Sequence, residues 1–126
     1  MNEIKILMVD DDATVRSVFK EILTEESFQV TQCVNGVDAL KQVKTSADTF
    51  NLFMVDLEMP IMDGFRFIDM LRKIPKYQET PVIVLTGNST ERAVEKAIRL
   101  NIQDFLLKHS PKEEILSRVK TALEME

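Results

Sequence analysis

Five side chains at four places in this 126-residue chain could do chemistry together. They are the carboxylate of Asp56, the adjoining carboxylates of Asp10 and Asp11, the hydroxyl of Thr86 and the ammonium of Lys108. Each place directly follows a short apolar run: Ile6 to Val9 before Asp10, Leu52 to Val55 before Asp56, Val82 to Leu85 before Thr86, and Phe105 to Leu107 before Lys108. If those ends meet, two charges about 4 Å apart repel by roughly 4 kcal/mol at an effective dielectric of 20. Clustered carboxylates then require a positive partner. Oxygen-only ligands suit a small hard cation that keeps several waters, and Mg2+ fits better than Ca2+. A carboxylate beside such an ion, a lysine and a hydroxyl is equipped to accept a phosphoryl group. Asp56 would attack as nucleophile while the metal, Lys108 and Thr86 take up the charge on the phosphoryl oxygens.

The elements that must position these groups follow from periodicity. Continuous apolar runs of four or five residues suit strands covered on both faces, as in a parallel sheet. Between them lie one-faced helical patterns: Val15, Val18, Phe19, Ile22 and Leu23; Ala39, Leu40, Val43 and Ala47; Phe67, Ile68 and Leu71. A fourth helix is predicted over about 90–100, with Ala93, Val94, Ala97 and Ile98 inward and Asn101 in the left-handed position past its end. Ser110, Pro111 and Glu113 predict a capping box for a fifth helix whose stripe is Ile115, Leu116, Val119, Ala122 and Leu123. Residues 28–33 alternate as a half-exposed edge strand. Pro75 and Pro81 flank a polar connection containing Tyr77. Strands alternating with helices five times over mean an α/β domain, a parallel sheet with helices on both faces joined by right-handed crossovers. Ligands of such sheets bind beyond the carboxyl ends of the strands, where strand order reverses.

Length and composition set bounds. One domain over residues 1–126 is expected, and 44% hydrophobic residues suffice for its core. Net charge is −5, and the acid surplus lies in the first 63 residues, which hold 12 acidic and 5 basic side chains. That asymmetry argues against direct nucleic-acid binding and favours a cation. A single cysteine, Cys33, excludes an internal disulfide and points to a reducing, cytoplasmic setting, where it is expected to be a small strand residue. One His and one Cys cannot build a zinc site. No apolar stretch is long enough to span a membrane.

The segments MVDDD at 8–12, MVDLEMPIMDG at 54–64, PVIVLTG at 81–87 and FLLK at 105–108 together resemble the receiver domain of bacterial two-component response regulators, in that family's order and spacing. The resemblance spans essentially the whole chain. It implies a flavodoxin-like (βα)5 doubly wound fold with strand order 2-1-3-4-5, helices one and five on one face and two, three and four on the other. It implies that Asp56 is the phosphoacceptor and that Mg2+ is held by Asp11, Asp56 and the backbone carbonyl of Glu58, with Asp10 acting through water. Thr86 and the strand-five aromatic Phe105 become the switch pair, and the surface made by the fourth helix, fifth strand and fifth helix becomes the output. On that surface Arg92, Lys96 and Arg99 form a basic stripe. Glu58 and Asn88 would tune dephosphorylation. The implied partners are a histidine kinase or phosphotransfer protein, a downstream effector, and a second copy of the chain once phosphorylated. The domain is then a signalling switch with Mg2+-dependent autophosphorylation and autodephosphorylation, rather than an enzyme acting on other molecules. No effector domain follows the fifth helix, so a stand-alone relay protein or an excised piece is expected.

Two positions depart from the family pattern. His109 follows Lys108 where the family usually has proline with a cis peptide, and a non-proline cis bond costs about 2.5 to 4 kcal/mol, so a trans bond and an exposed loop histidine are expected. Asn101 replaces a common glycine and tolerates the same backbone conformation. The rival reading is a haloacid-dehalogenase-type phosphatase with Asp10 as nucleophile and Asp12 as acid/base in a DxDxT motif. It leaves Asp56 and its loop without a role.

Overall fold

The computed structural model describes residues 3–87 and 98–125. Five strands, β1 (Lys5–Val9), β2 (Gln29–Cys33), β3 (Leu52–Asp56), β4 (Val82–Thr86) and β5 (Asp104–Leu107), form one parallel sheet in the order β2-β1-β3-β4-β5. The chain runs from β1 outward to β2 and then back past β1 to β3, so the order reverses between β1 and β3. The resulting crevice lies beside Asp10 and Asp56.

The uninterrupted apolar runs follow from two covered faces. Strand side chains alternate, so Leu7, Val9, Phe53, Val55, Val82 and Val84 enter one core and Ile6, Met8, Leu52, Met54, Ile83 and Leu85 the other. The first core is covered by α2 (Gly36–Thr45) through Ala39 and Val43, and by α3 (Gly64–Arg72) through Phe67, Ile68 and Leu71. The second is covered by α1 (Ala13–Glu25) through Val15, Phe19 and Leu23, and by the C-terminal helix (Lys112–Ala122) through Ile115 and Val119. β2 is an edge strand with one fully buried residue, Cys33, as its alternation implies.

Several details differ from the periodic reading. Val18 belongs to the α1 pattern but is 46% exposed, because 100° per residue carries it to the rim of the stripe. Ala47 lies beyond the end of α2 and is exposed. Residues 88–97 of the expected fourth helix, including Arg92 and Lys96 of the basic stripe, lie outside the described residues. Ile98, expected inward, is 77% exposed, and Arg99 is exposed. Asn101 has the expected left-handed φ of 55°.

The predicted capping box is not made. Pro111 occupies the N-cap of the C-terminal helix with no side-chain cap bond, and the first turn closes instead through the Pro111 carbonyl, which accepts from Glu114 and Ile115. Tyr77, read as part of a polar connection, is buried on a short 3-10 turn (Pro75–Tyr77). Its ring meets Phe53 edge-on at 5.0 Å, and its hydroxyl accepts from the Phe50 N–H at 3.2 Å. A polar neighbourhood in sequence conceals such an anchor, because burial of one aromatic depends on what lies across the fold.

Candidate functional site

Each member of the site is held by the element it terminates. Asp10, directly after β1, is fully buried, and β3 ends in Asp56, which is 1% exposed. In both, Oδ1 accepts from the backbone N–H two residues on: Asp12 N to Asp10 at 2.9 Å, and Glu58 N to Asp56 at 3.2 Å. Those bonds fix the carboxylates at the strand tips and leave Oδ2 of each without a hydrogen bond among the described residues. The exposed Asp11 stands next to Asp10, and one carboxylate oxygen from each of Asp10, Asp11 and Asp56 lies within 4.8 Å of the others. The third acid of the run, Asp12, is occupied otherwise. Its Oδ1 caps α1 by accepting from Thr14 N at 2.8 Å and Val15 N at 3.3 Å.

Lys108 enters this cluster from the end of β5, where its N–H donates to the Thr86 carbonyl at 3.0 Å. Its ammonium lies 3.0 Å from Asp56 Oδ1, donates to Asp10 Oδ1 at 3.4 Å and stands 3.2 Å from Asp10 Oδ2, the last an ion pair without hydrogen-bond alignment. No cis peptide occurs among the described residues, so Lys108–His109 is trans, and His109 is exposed. Thr86, 6% exposed, ends the neighbouring strand β4, with its register partner Leu107 immediately before Lys108. Phe105 is half-buried and packs against the α2–α3 core. Glu58 is exposed, and Asn88 lies outside the described residues.

Burial raises the Asp56 carboxyl to about 7 and the Asp10 charge pushes it the same way, while Lys108 and the Glu58 N–H pull it down. Burial by itself would lower the Lys108 ammonium, but hydrogen bonding and attraction from Asp56 and Asp10 outweigh it and hold that ammonium above its ordinary range. One ammonium faces three carboxylates. The donor set therefore retains a negative excess, all of it on oxygen, with two buried oxygens unbonded and one exposed acid on the open side. These residues fit a small hard dication that keeps part of its water shell.

Two contributors were not legible as site residues. Arg16, one turn into α1, donates to the Asp10 carbonyl at 2.6 Å and braces the strand end from outside. Gly64 allows the start of α3 to lie against the backbone of Asp56. A Cβ there would stand 2.3 Å from the Asp56 carbonyl oxygen, closer than any side chain tolerates. Gly64 ends the motif at 54–64, whereas Arg16 carries no signal of its own in the sequence.

Fold and site together define a doubly wound α/β domain with an acidic cluster, two of its three carboxylates buried, at its topological switch point. Residues 6–120 match the model of the response regulator receiver domain, and the chain belongs to that family. It is 32% identical over 97% of its length to the transcriptional regulatory protein ResD of Bacillus subtilis, and 34% identical over 94% to CpxR of Escherichia coli K12. The chain spans about half the length of these two curated relatives, 49% of each. Among solved structures, chemotaxis protein CheY4 of Vibrio cholerae shares the fold at a TM-score of 0.90 and 24% identity, covering 96% of this chain and 99% of that one. A signal receiver domain of a histidine kinase from Syntrophus aciditrophicus matches at 0.83 and 31% identity, covering 95% and 89%.

Proposed function

We propose that this chain is a phosphorylation-driven switch of a two-component relay, with Asp56 as its phosphoacceptor. The observation that carries the reading is a buried Asp56 carboxylate with one oxygen unbonded and the other held 3.0 Å from Lys108, in a cluster with Asp10 and Asp11. Asp11, Asp56 and the Glu58 carbonyl would hold Mg2+ directly and Asp10 through water. Bound there, Mg2+ supplies charge neutralisation for the phosphoryl oxygens. An Asp56 oxygen attacks the phosphorus of a phosphohistidine on a histidine kinase or phosphotransfer protein. The P–N bond breaks, its electron pair stays on the imidazole nitrogen, and an acyl phosphate forms on Asp56. Lys108, already paired to Asp56, shifts to the incoming phosphoryl oxygens, and Thr86 donates its hydroxyl to another.

The switch then runs through Thr86 and Phe105 to the output surface expected of a fourth helix, β5 and the C-terminal helix, of which residues 88–97 lie outside the described residues; an effector or a second copy binds there. Phe105 lacks a hydroxyl, so packing alone reports its inward position. Moving a population from 1:99 to 99:1 takes about 5.5 kcal/mol, within reach of a few charge-assisted bonds. Glu58 and Asn88 set the lifetime of the acyl phosphate by steering or repelling water. The domain works in the cytoplasm as one unit over residues 1–126, and among the described residues no helix is long and apolar enough to cross a membrane.

The test is intact-mass measurement after incubation with Mg2+ and acetyl phosphate or phosphoramidate. One phosphoryl group is expected on the wild type and none on Asp56→Asn, with peptide mapping to Asp56. Label on Asp10 instead would favour a phosphatase, a reading already strained by Asp12, its required acid/base, being engaged as a helix cap.

A further inference from the structure

Away from the phosphoacceptor, α2 and α3 enclose an open groove of about 350 Å³. Its floor is apolar and half-buried, made by Leu40, Met70 and Ile74, and its rim is basic, with Lys44, Arg66 and Lys73. Asp69 also lines it, but sits 3.5 Å from Lys73 in an exposed i,i+4 pair, which leaves Lys44 and Arg66 with no ion pair among the described residues. The helices explain two of these cations. Lys44 lies in the last turn of α2 and Lys73 caps the end of α3, where positive charge suits the helix dipole. Arg66 has the opposite placement. It stands in the first turn of α3, where the dipole disfavours a cation, and neither the cap residue Asp63, which accepts from its backbone N–H, nor Asp69 three residues on makes an ion pair with its guanidinium among the described residues. An exposed cation that neither its helix nor an ion pair stabilises, over an apolar floor, on a chain whose net charge is −5, is complementary to an external anion with apolar substituents.

We propose that the α2–α3 groove docks an acidic, amphipathic segment of a partner protein. Its apolar side chains would lie on Leu40, Met70 and Ile74 while its carboxylates meet Arg66 and Lys44. Nucleic acid fits less well, because it offers no aliphatic side chains for the floor. The methionine lets the floor adapt to different side chains. The proposal does not depend on which residue is phosphorylated, and it is tested on the unphosphorylated protein.

The probe is a fluorescein-labelled peptide of acids with leucines at helical spacing. Controls are the same peptide with serine for leucine, one with lysine for the acids, and a short DNA duplex. Anisotropy gives affinity, and amide shifts of the 15N-labelled protein give location. The acidic leucine peptide is expected to bind with shifts confined to α2 and α3, to weaken as salt rises, and to weaken about tenfold in Lys44→Glu/Arg66→Glu. Phosphoryl uptake at Asp56 should be unchanged in that variant, and Lys44→Gln/Arg66→Gln repeats the test should charge reversal disturb folding. The proposal is overturned by no binding, by shifts mapping elsewhere, by equal binding of the serine peptide or of DNA, or by indifference to both double variants.

Discussion

At the scale of single residues, the site rests on a carboxylate held where water would not leave it. Asp56 is buried beside Asp10, and its pKa is raised from 3.8 to about 7. Between those values the folded chain binds more protons than the unfolded one, so stability falls as pH rises from about 4 to 7 and is level above. At 1.36 kcal/mol per pKa unit, this one group accounts for roughly 2–4 kcal/mol. Lys108, raised in turn, loses its contribution only at alkaline pH, outside this window. Urea unfolding in EDTA should therefore show the wild type losing stability over that range relative to Asp56→Asn. Parallel pH profiles for the two proteins would show that Asp56 is solvated after all.

At the scale of elements, two connections place the site. The loop after β3 turns through Ile61, whose φ of 73° and 86% exposure put a β-branched apolar side chain in a left-handed conformation and in water. The Met62 N–H donates to the Pro60 carbonyl at 2.8 Å across it, a tight three-residue turn. Ile61→Gly should stabilise the fold by about 1 kcal/mol, read as a raised denaturation midpoint with unchanged m-value. An unchanged or lowered midpoint would mean that the turn carries no strain. The other connection is Arg72, at the end of α3. Its guanidinium donates to four carbonyls: Leu100 at 3.0 Å, Tyr77 at 2.9 Å, Thr80 at 2.6 Å and Asn101 at 2.8 Å. It thus ties the helix that follows the loop after Asp56 to the chain entering β4 and to the chain before β5. Arg72→Ala should cost about 2–3 kcal/mol and speed amide exchange around 98–103, and Arg72→Lys should recover little, since one ammonium cannot span four acceptors. Full recovery by lysine would reduce the role to charge alone.

At the scale of the molecule, the sheet gathers groups from residues 10, 11, 56, 86 and 108 at one edge, and a ligand of that edge reports on the whole fold. Mg2+ binding the native state alone should add about 2.7 kcal/mol at a hundredfold excess over its Kd. The midpoint of thermal unfolding should rise with Mg2+ in the wild type and stay flat in Asp11→Ala. Equal shifts in both proteins would place the ion elsewhere.

Much of this was legible before any coordinates, because it is local or periodic. Apolar runs ending in Asp10, Asp56, Thr86 and Lys108 are properties of consecutive residues, and a parallel sheet covered on both faces leaves that pattern wherever it occurs. The family's motifs then implied the strand order that the fold displays. Other features depend on what lies across the molecule. Exposure of Val18 and Ile98, burial of Tyr77, the Gly64 approach to the Asp56 carbonyl, the Arg16 brace and the four acceptors of Arg72 depend on how loops and neighbouring elements fold back on one another or turn on a few degrees of helix rotation. So does the groove between α2 and α3, whose basic rim reads as scattered surface charge until two helices bring it together. Chain order specifies which groups stand at strand ends; only packing determines which of them touch, because contact is set by distance in space and not by separation along the backbone.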